Sequence, residues 1–278
     1  MKSFFLKLFF LLCLIIVVFM GIKTIRESTP ENDDEVKITP ENFKVMTYNM
    51  NNGMGLDGKL ELDRIIKIMR KENPDLVCLN EVDYLTERSE FIDQARIISA
   101  NLGMEFTFAK NIEFEKGGSG NAVLSRFPIK FAENKQYISS DVNIGSGVLH
   151  VIVTMGNEDI HLYATQFHSD TLKSKLETKQ LLDIILDWGI EKPALIAGDF
   201  AVDFADRPLG ELLYYFQDTG GMVETIKATW PSNNPKKRVD YILANHYLEP
   251  LIARTVNSGL SVIASDHLPF LVRFKIRQ

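Results

Sequence analysis

Five short apolar runs in this chain end on, or hold, a residue able to bind a cation or move a proton. They are residues 45–49 (VMTYN), 76–81 (LVCLNE), 162–168 (LYATQFH), 194–199 (ALIAGD) and the stretch around Asp240 (RVDYIL); a sixth cluster, Ser265-Asp266-His267, follows near the C-terminus. The carboxylates of Glu81, Asp199, Asp240 and Asp266 and the amide of Asn49 offer the oxygen ligands that a hard divalent cation takes. The imidazoles of His168 and His267, with an ordinary pKa of ~6.5, exchange protons near neutrality. A lone Asp or Asn after a strand starts a turn. Six such ends are another matter, because strands packed side by side collect their ends at one sheet edge, where open α/β folds place their sites. The chain reads as an enzyme.

The elements that must position these residues are alternating strands and helices. Leu62, Ile65, Ile66 and Met69 give helical spacing over 60–71, stopped by Asn73-Pro74. The pattern returns over 91–102, ended by Gly103, and over 172–188, closed by Gly189. Strands are expected at 104–109, 122–124, 147–154, 160–167, 239–244 and 270–276 besides the runs above. Mixed strands and helices with several hairpin-like pairs predict an α/β fold of two packed sheets flanked by helices, rather than one doubly wound sheet. Cys78 lies inside an expected buried strand and reads as a core residue; with Cys13 the only other cysteine, no disulfide framework is implied.

The chain divides into residues 1–26, 27–42 and 43–278. Lys2 and Lys7 flank the start of a charge-free run, 8–22, which as a helix spans about 22 Å against a hydrocarbon core of about 30 Å. Phe4, Phe5 and Leu6 lengthen it if Lys7 snorkels. No small-residue cleavage site follows, which favours an uncleaved signal-anchor over a cleaved signal peptide. Either route puts the body outside the cytoplasm, membrane-anchored or secreted. Residues 27–42 (ESTPENDDEVKITPEN) are acidic, carry two prolines and read as a linker. Lys2, Lys7, Lys23 and Arg26 have no acid among them, so against −6 overall the remainder stands at −10. Such a body lacks the broad basic surface of a nonspecific nucleic-acid binder.

The ordered set TYN, LNEVD, GNAVLSRFPI, TQFH, GDF, TWPSNNPKKRVDYIL and SDHLPF resembles the endonuclease/exonuclease/phosphatase, or DNase I-like, superfamily over roughly 43–274. The resemblance implies a four-layer α/β sandwich with two packed mixed β-sheets flanked by helices, and hydrolysis of phosphate esters with Mg²⁺ or Mn²⁺. It implies Glu81 as principal metal carboxylate, helped by Asn49 and Asp266. By the same resemblance His168 and His267 contact the phosphoryl oxygens, Asp199 holds or deprotonates the attacking water, and Asp240 orients His267. Asn121 and Arg238 are the expected substrate contacts; Lys236-Lys237-Arg238 is the one compact basic run of the body.

Three departures stand out. Ala201 occupies the place of the Asn in GDFN, an amide that points at the reacting phosphate, and Asn121 is a candidate to replace it. Ser119 stands where relatives often place Tyr, and the Glu and Arg common before the next strand are missing from 141–147 (DVNIGSG). The favoured expectation is a membrane-tethered phosphodiesterase or phosphatase acting on a phospholipid-like or other small phosphoester. A secreted nuclease and a non-catalytic binding module are the alternatives; the oligomeric state is not legible.

Overall fold

The computed structural model describes residues 40–277 except 115, 139–145, 204–208, 223–227 and 258. The N-terminal segment, nearly all of the acidic linker, and 141–145 of the DVNIGSG stretch lie outside the described residues.

Two six-stranded sheets form the centre. The first contains β1 (Asn42–Asn49), β2 (Leu76–Tyr84), β3 (Glu105–Phe114), β4 (Gly117–Ser125), β11 (Leu248–Thr255) and β12 (Phe270–Ile276), in the order β11-β12-β1-β2-β4-β3. The second contains β5 (Ile129–Gln136), β6 (Gly147–Met155), β7 (Glu158–Gln166), β8 (Ala194–Asp199), β9 (Gln217–Asp218) and β10 (Asp240–Ala244), in the order β5-β6-β7-β8-β10-β9. Each sheet is mixed: one parallel pair, β1 with β2 or β7 with β8, sits among antiparallel neighbours.

Strand alternation splits the apolar residues between two cores. Val45, Cys78 and Val123 of the first sheet meet Leu162, Leu195 and Ile242 of the second between the sheets. Met46, Leu79 and Ala122 face the other way, onto Ile65 and Met69 of α1 (Leu62–Glu72) and Ile98 of α2 (Gln94–Leu102). Tyr163, Ile196 and Tyr241 pack likewise on Leu181, Leu182 and Ile185 of α3 (Thr171–Trp188). The result is four layers, as the sequence predicts. Burial on both faces is why these strands read as nearly continuous apolar runs. Burial also raises the Cys78 thiol far above its ordinary value, as suits a core residue.

Helix ends follow their capping residues. Asn73 takes a left-handed conformation (φ +52°) and donates to the Met69 carbonyl, closing α1 before Pro74. Asp93 and Asp170 accept backbone N–H groups at the starts of α2 and α3. Among the described residues no helix is long and apolar enough to cross a membrane.

Strands β5, β11 and the two-residue β9 are absent from the sequence expectation, and β3 and β4 run longer than expected. β5 (IKFAENKQ) is an edge strand with only partial burial, so its apolar signal is diluted. β11 is the opposite edge of the other sheet, and its Pro250 lies where the pairing with β12 slips. A proline at an edge bulge is permitted by the ladder but reads as a break in sequence.

Candidate active site

Register explains why the polar ends converge. In the parallel pairs Asn49 lies opposite Asn80 and Gln166 opposite Asp199; antiparallel β10 sets Asp240 opposite Asp199. Two parallel pairs, one per sheet, therefore finish at the same end of the sandwich.

Glu81 is delivered by an irregularity. The β2–β4 pairing slips between Leu79 and Val82, and Glu81 itself sits at φ +54°. A left-handed conformation costs a non-glycine residue about 1–2 kcal/mol, and bulges re-aim side chains next to active sites. The side-chain amide of Asn49 donates to Glu81 Oε1 at 2.9 Å and to Asp199 Oδ2 at 3.0 Å. Gln166 Nε2 donates to the same Glu81 oxygen at 2.9 Å. Asn49 Oδ1 accepts the Asn51 backbone N–H, so Asn49 acts here as a donor tying two carboxylates together.

Asp199 is held from three sides. Its N–H donates to Asn80 Oδ1 at 3.0 Å, and the Ala201 N–H donates to its Oδ1 at 2.7 Å. His267 Nε2 stands 3.8 Å from its Oδ2, and His267 Nδ1 donates to Asp240 Oδ2 at 2.9 Å. Thr229 Oγ1 accepts the Asp240 N–H, and Asp240 itself is fully buried. Burial, only partly offset by His267, pushes the Asp199 carboxyl up to about 7. For His267 burial works downward, but the carboxylates of Asp240, Asp199 and Asp266 prevail and raise it to about 10. The pair thus holds an imidazolium beside a carboxyl able to take a proton near neutrality.

His168 reaches the same cleft by another route. Its backbone N–H donates to Glu177 Oε2 at 2.9 Å, and its Nδ1 is hydrogen-bonded to Oε1 of the same carboxylate. Glu177 lies on the inward face of α3, where it also accepts from Ser146. The Nε2 of His168 has no partner among the described residues. Asp266 is half-buried, with Oδ1 3.4 Å from Ser265 Oγ, which itself donates to the Asn49 carbonyl. The cleft holds about 440 Å³, and Glu81, Gln166, His168, Asp199 and Ala201 line it together with Asn52, Arg88 and Phe114. An adjoining lobe of about 320 Å³ shares Ser169, Asp199 and Ala201 and reaches His267, Trp230 and Lys237.

The residues fit a hard cation. Both amide donors reach Oε1 of Glu81, which leaves Oε2 for a ligand in the cleft, and oxygen donors suit Mg²⁺ or Mn²⁺. Ligand atoms of Asp199, Asp240 and His267 also lie within 4.8 Å of one another. His267 is a poor member of that set, since its Nδ1 is committed to Asp240 and it favours the protonated form.

Two expected substrate contacts are placed elsewhere. Asn121 is buried between the sheets, where it accepts from Asn80 and donates to the carbonyls of Gly147 and Ala164. Its amide is spent there and does not replace the one missing at Ala201. Arg238 is buried as well: its guanidinium pairs with both oxygens of Asp218 and stacks over Tyr241 at 4.4 Å. Its neighbour Lys237 lines the adjoining lobe instead.

Sequence reasoning passed over Gln166, Asn80, Asn52 and Glu177. Gln166 and Asn80 lie inside the quoted TQFH and LNE runs, so their strand-end position was a usable signal. Asn52 donates to the Glu81 carbonyl, Asp83 and Ser119, and Glu177 sits nine residues beyond His168; neither has a local signature.

Comparison with known proteins agrees with this architecture. Residues 46–267 match the Endonuclease/Exonuclease/phosphatase family. The Escherichia coli (strain K12) protein YbhP is 26% identical over 168 residues, 57% of this chain; the match spans 66% of YbhP, just under two thirds of its length. The fold is shared with a Bacteroides vulgatus endonuclease/exonuclease/phosphatase (TM-score 0.73, 13% identity, 86% of this chain and 100% of that one). It is also shared with a Bacteroides thetaiotaomicron mannosyl-6-phosphatase (0.69, 14%, 84% and 99%) and truncated Caenorhabditis elegans TDP2 (0.66, 16%, 84% and 98%). With its matched segment running from within the first strand to the histidine held by Asp240, the chain belongs to the endonuclease/exonuclease/phosphatase family, whose members are phosphoester hydrolases.

Proposed function

We propose that this protein is a divalent-metal-dependent phosphoester hydrolase in which water attacks phosphorus in line, and that its substrate is a small or phospholipid-like phosphoester. The observation that carries the reading is the Asn49 amide bridging Glu81 and Asp199, with His267 on the far side of Asp199. Asp199, its carboxyl raised by burial, accepts the proton of the attacking water. The His267 imidazolium, kept charged by Asp240, donates to a phosphoryl oxygen as charge grows there, and His168, oriented by Glu177, lines the same cleft as a second phosphoryl contact. Glu81 and Asp266 are the residues that would hold the cation, which when bound would supply Lewis-acid neutralisation of phosphoryl charge. Mg²⁺ or Mn²⁺ is the proposed metal.

The N-terminal apolar run supports placing the catalytic body outside the cytoplasm, anchored to or secreted across a membrane. Protease accessibility of the body on intact cells tests this; protection of the body under all conditions overturns it. Ala201 supports one other reading, a binding module without turnover. The deciding experiment offers the purified full chain a generic phosphodiester, sphingomyelin, inositol phosphates and plasmid DNA, with Mg²⁺, with Mn²⁺ and with chelator. Chelator-sensitive cleavage of a lipid or small phosphoester is expected. Cleavage of DNA alone would make the protein a nuclease, and no turnover with ligand binding intact would make it the binding module.

A further inference from the structure

The outward face of α3 is unusual for a helix that buries its other face so fully. Leu172 is 78% exposed and Leu176 51%, one turn apart, with Lys175 and Lys179 beside them on the same face. Spacing of i, i+3, i+4 and i+7 puts all four in one stripe. The acids of this half of the helix are otherwise employed: Asp170 caps the N-terminus and Glu177 points inward to His168. Asp183 marks where the basic half ends. The apolar surface continues on neighbouring elements. Ile138, 83% exposed, donates its N–H to Gln180 of α3, and the short helix Gly210–Tyr214, packed on α3 through Leu212, presents Tyr214 at 85% exposure.

Exposed leucines and a tyrosine beside lysines suit the boundary between headgroups and acyl chains, where aromatic rings settle and basic residues pair with anionic lipid. Lys175 and Lys179 make the stripe locally basic, which suits an anionic lipid surface. The apolar run at residues 8–22 offers independent support, since a tether of that kind would keep the body beside a bilayer. We infer that the Leu172–Lys175–Leu176–Lys179 stripe of α3, with Tyr214 and Ile138, docks the body onto anionic lipid. Because α3 begins three residues after His168, docking would hold the cleft at the lipid surface. The inference does not depend on hydrolytic activity.

The test uses the full chain with Cys13→Ser, which leaves only the buried Cys78, reconstituted into vesicles of phosphatidylcholine with or without phosphatidylglycerol. A fluorophore is attached at Leu176→Cys or, as control, at Leu251→Cys on β11 in the other sheet, and quenching by brominated lipid is read. Stronger quenching at 176 than at 251 is expected, and only with anionic lipid. Lys175→Gln and Lys179→Gln should each lower the docked-to-undocked ratio by about fivefold, the ~1 kcal/mol that a basic residue gains near an anionic leaflet. Unchanged circular dichroism would confirm that these surface variants fold. Equal quenching at 176 and 251, or equal quenching with and without anionic lipid, overturns the proposal. So does a 176 probe shielded from aqueous iodide yet untouched by brominated lipid, since the chain's own N-terminal segment or a second copy would then cover the patch.

Discussion

Asp199 Oδ2 and His267 Nε2 face each other at 3.8 Å, one on β8 and the other in the loop before β12, while Asp240 grips the opposite nitrogen of His267 at 2.9 Å. Removing that grip should be visible in pH dependence. Asp240→Asn withdraws a carboxylate that helps raise His267 to about 10, so the imidazolium is lost at lower pH. The alkaline limb of the kcat profile should move down, and kcat should fall by ~10²–10⁴. An unmoved limb would exclude the imidazolium role.

Ala201 holds a left-handed conformation, φ +54°, and donates its N–H to Asp199. Asparagine adopts that conformation more readily than alanine. Ala201→Asn should therefore fold at least as stably and raise turnover, by up to the ~10²–10³ that one such donor is worth. Unchanged or lower turnover would show that Ala201 is no defect here.

Glu177 carries three hydrogen bonds into the site wall, two of them to His168. Glu177→Gln keeps the volume but removes the charge, so kcat should drop by about 10²-fold. A loss of thermal stability without any change in kcat or its pH profile would reduce Glu177 to a packing residue.

Cation binding should be measurable without turnover. A ligand at 100 times its Kd stabilises a fold by about 2.7 kcal/mol, so saturating Mg²⁺ or Mn²⁺ should raise the Tm of the wild-type chain. Glu81→Gln should abolish that rise. A variant that responds as the wild type does would place the cation elsewhere.

His150 lies in an aromatic nest, stacked on Tyr163 at 4.4 Å and edge-on to Trp188, with Nε2 3.1 Å from His161 Nδ1. Burial first, then His161 and Lys135, lowers it to about 3, and burial lowers His161 too. A folded-state pKa below the unfolded ~6.5 contributes stability above that value and loses it as pH falls toward the folded pKa. Tm should thus decline as pH drops below about 6.5, and His150→Phe should flatten the decline. A slope identical in the variant would assign the acid sensitivity to other groups.

Chain order and composition settled the layered α/β architecture, because residues buried on both strand faces and on one helix stripe leave periodic apolar marks. They also named the residues that end those strands, from Asn49 to His267. Sequence did not show that Asn121 and Arg238 are turned inward, nor that Glu177 stands behind His168. Those outcomes depend on which strand lies beside which, and at what register. Local spacing carries no record of a hydrogen bond made across 150 residues, as between Asn49 and Asp199; only the packing of two sheets with their parallel pairs ending together creates it.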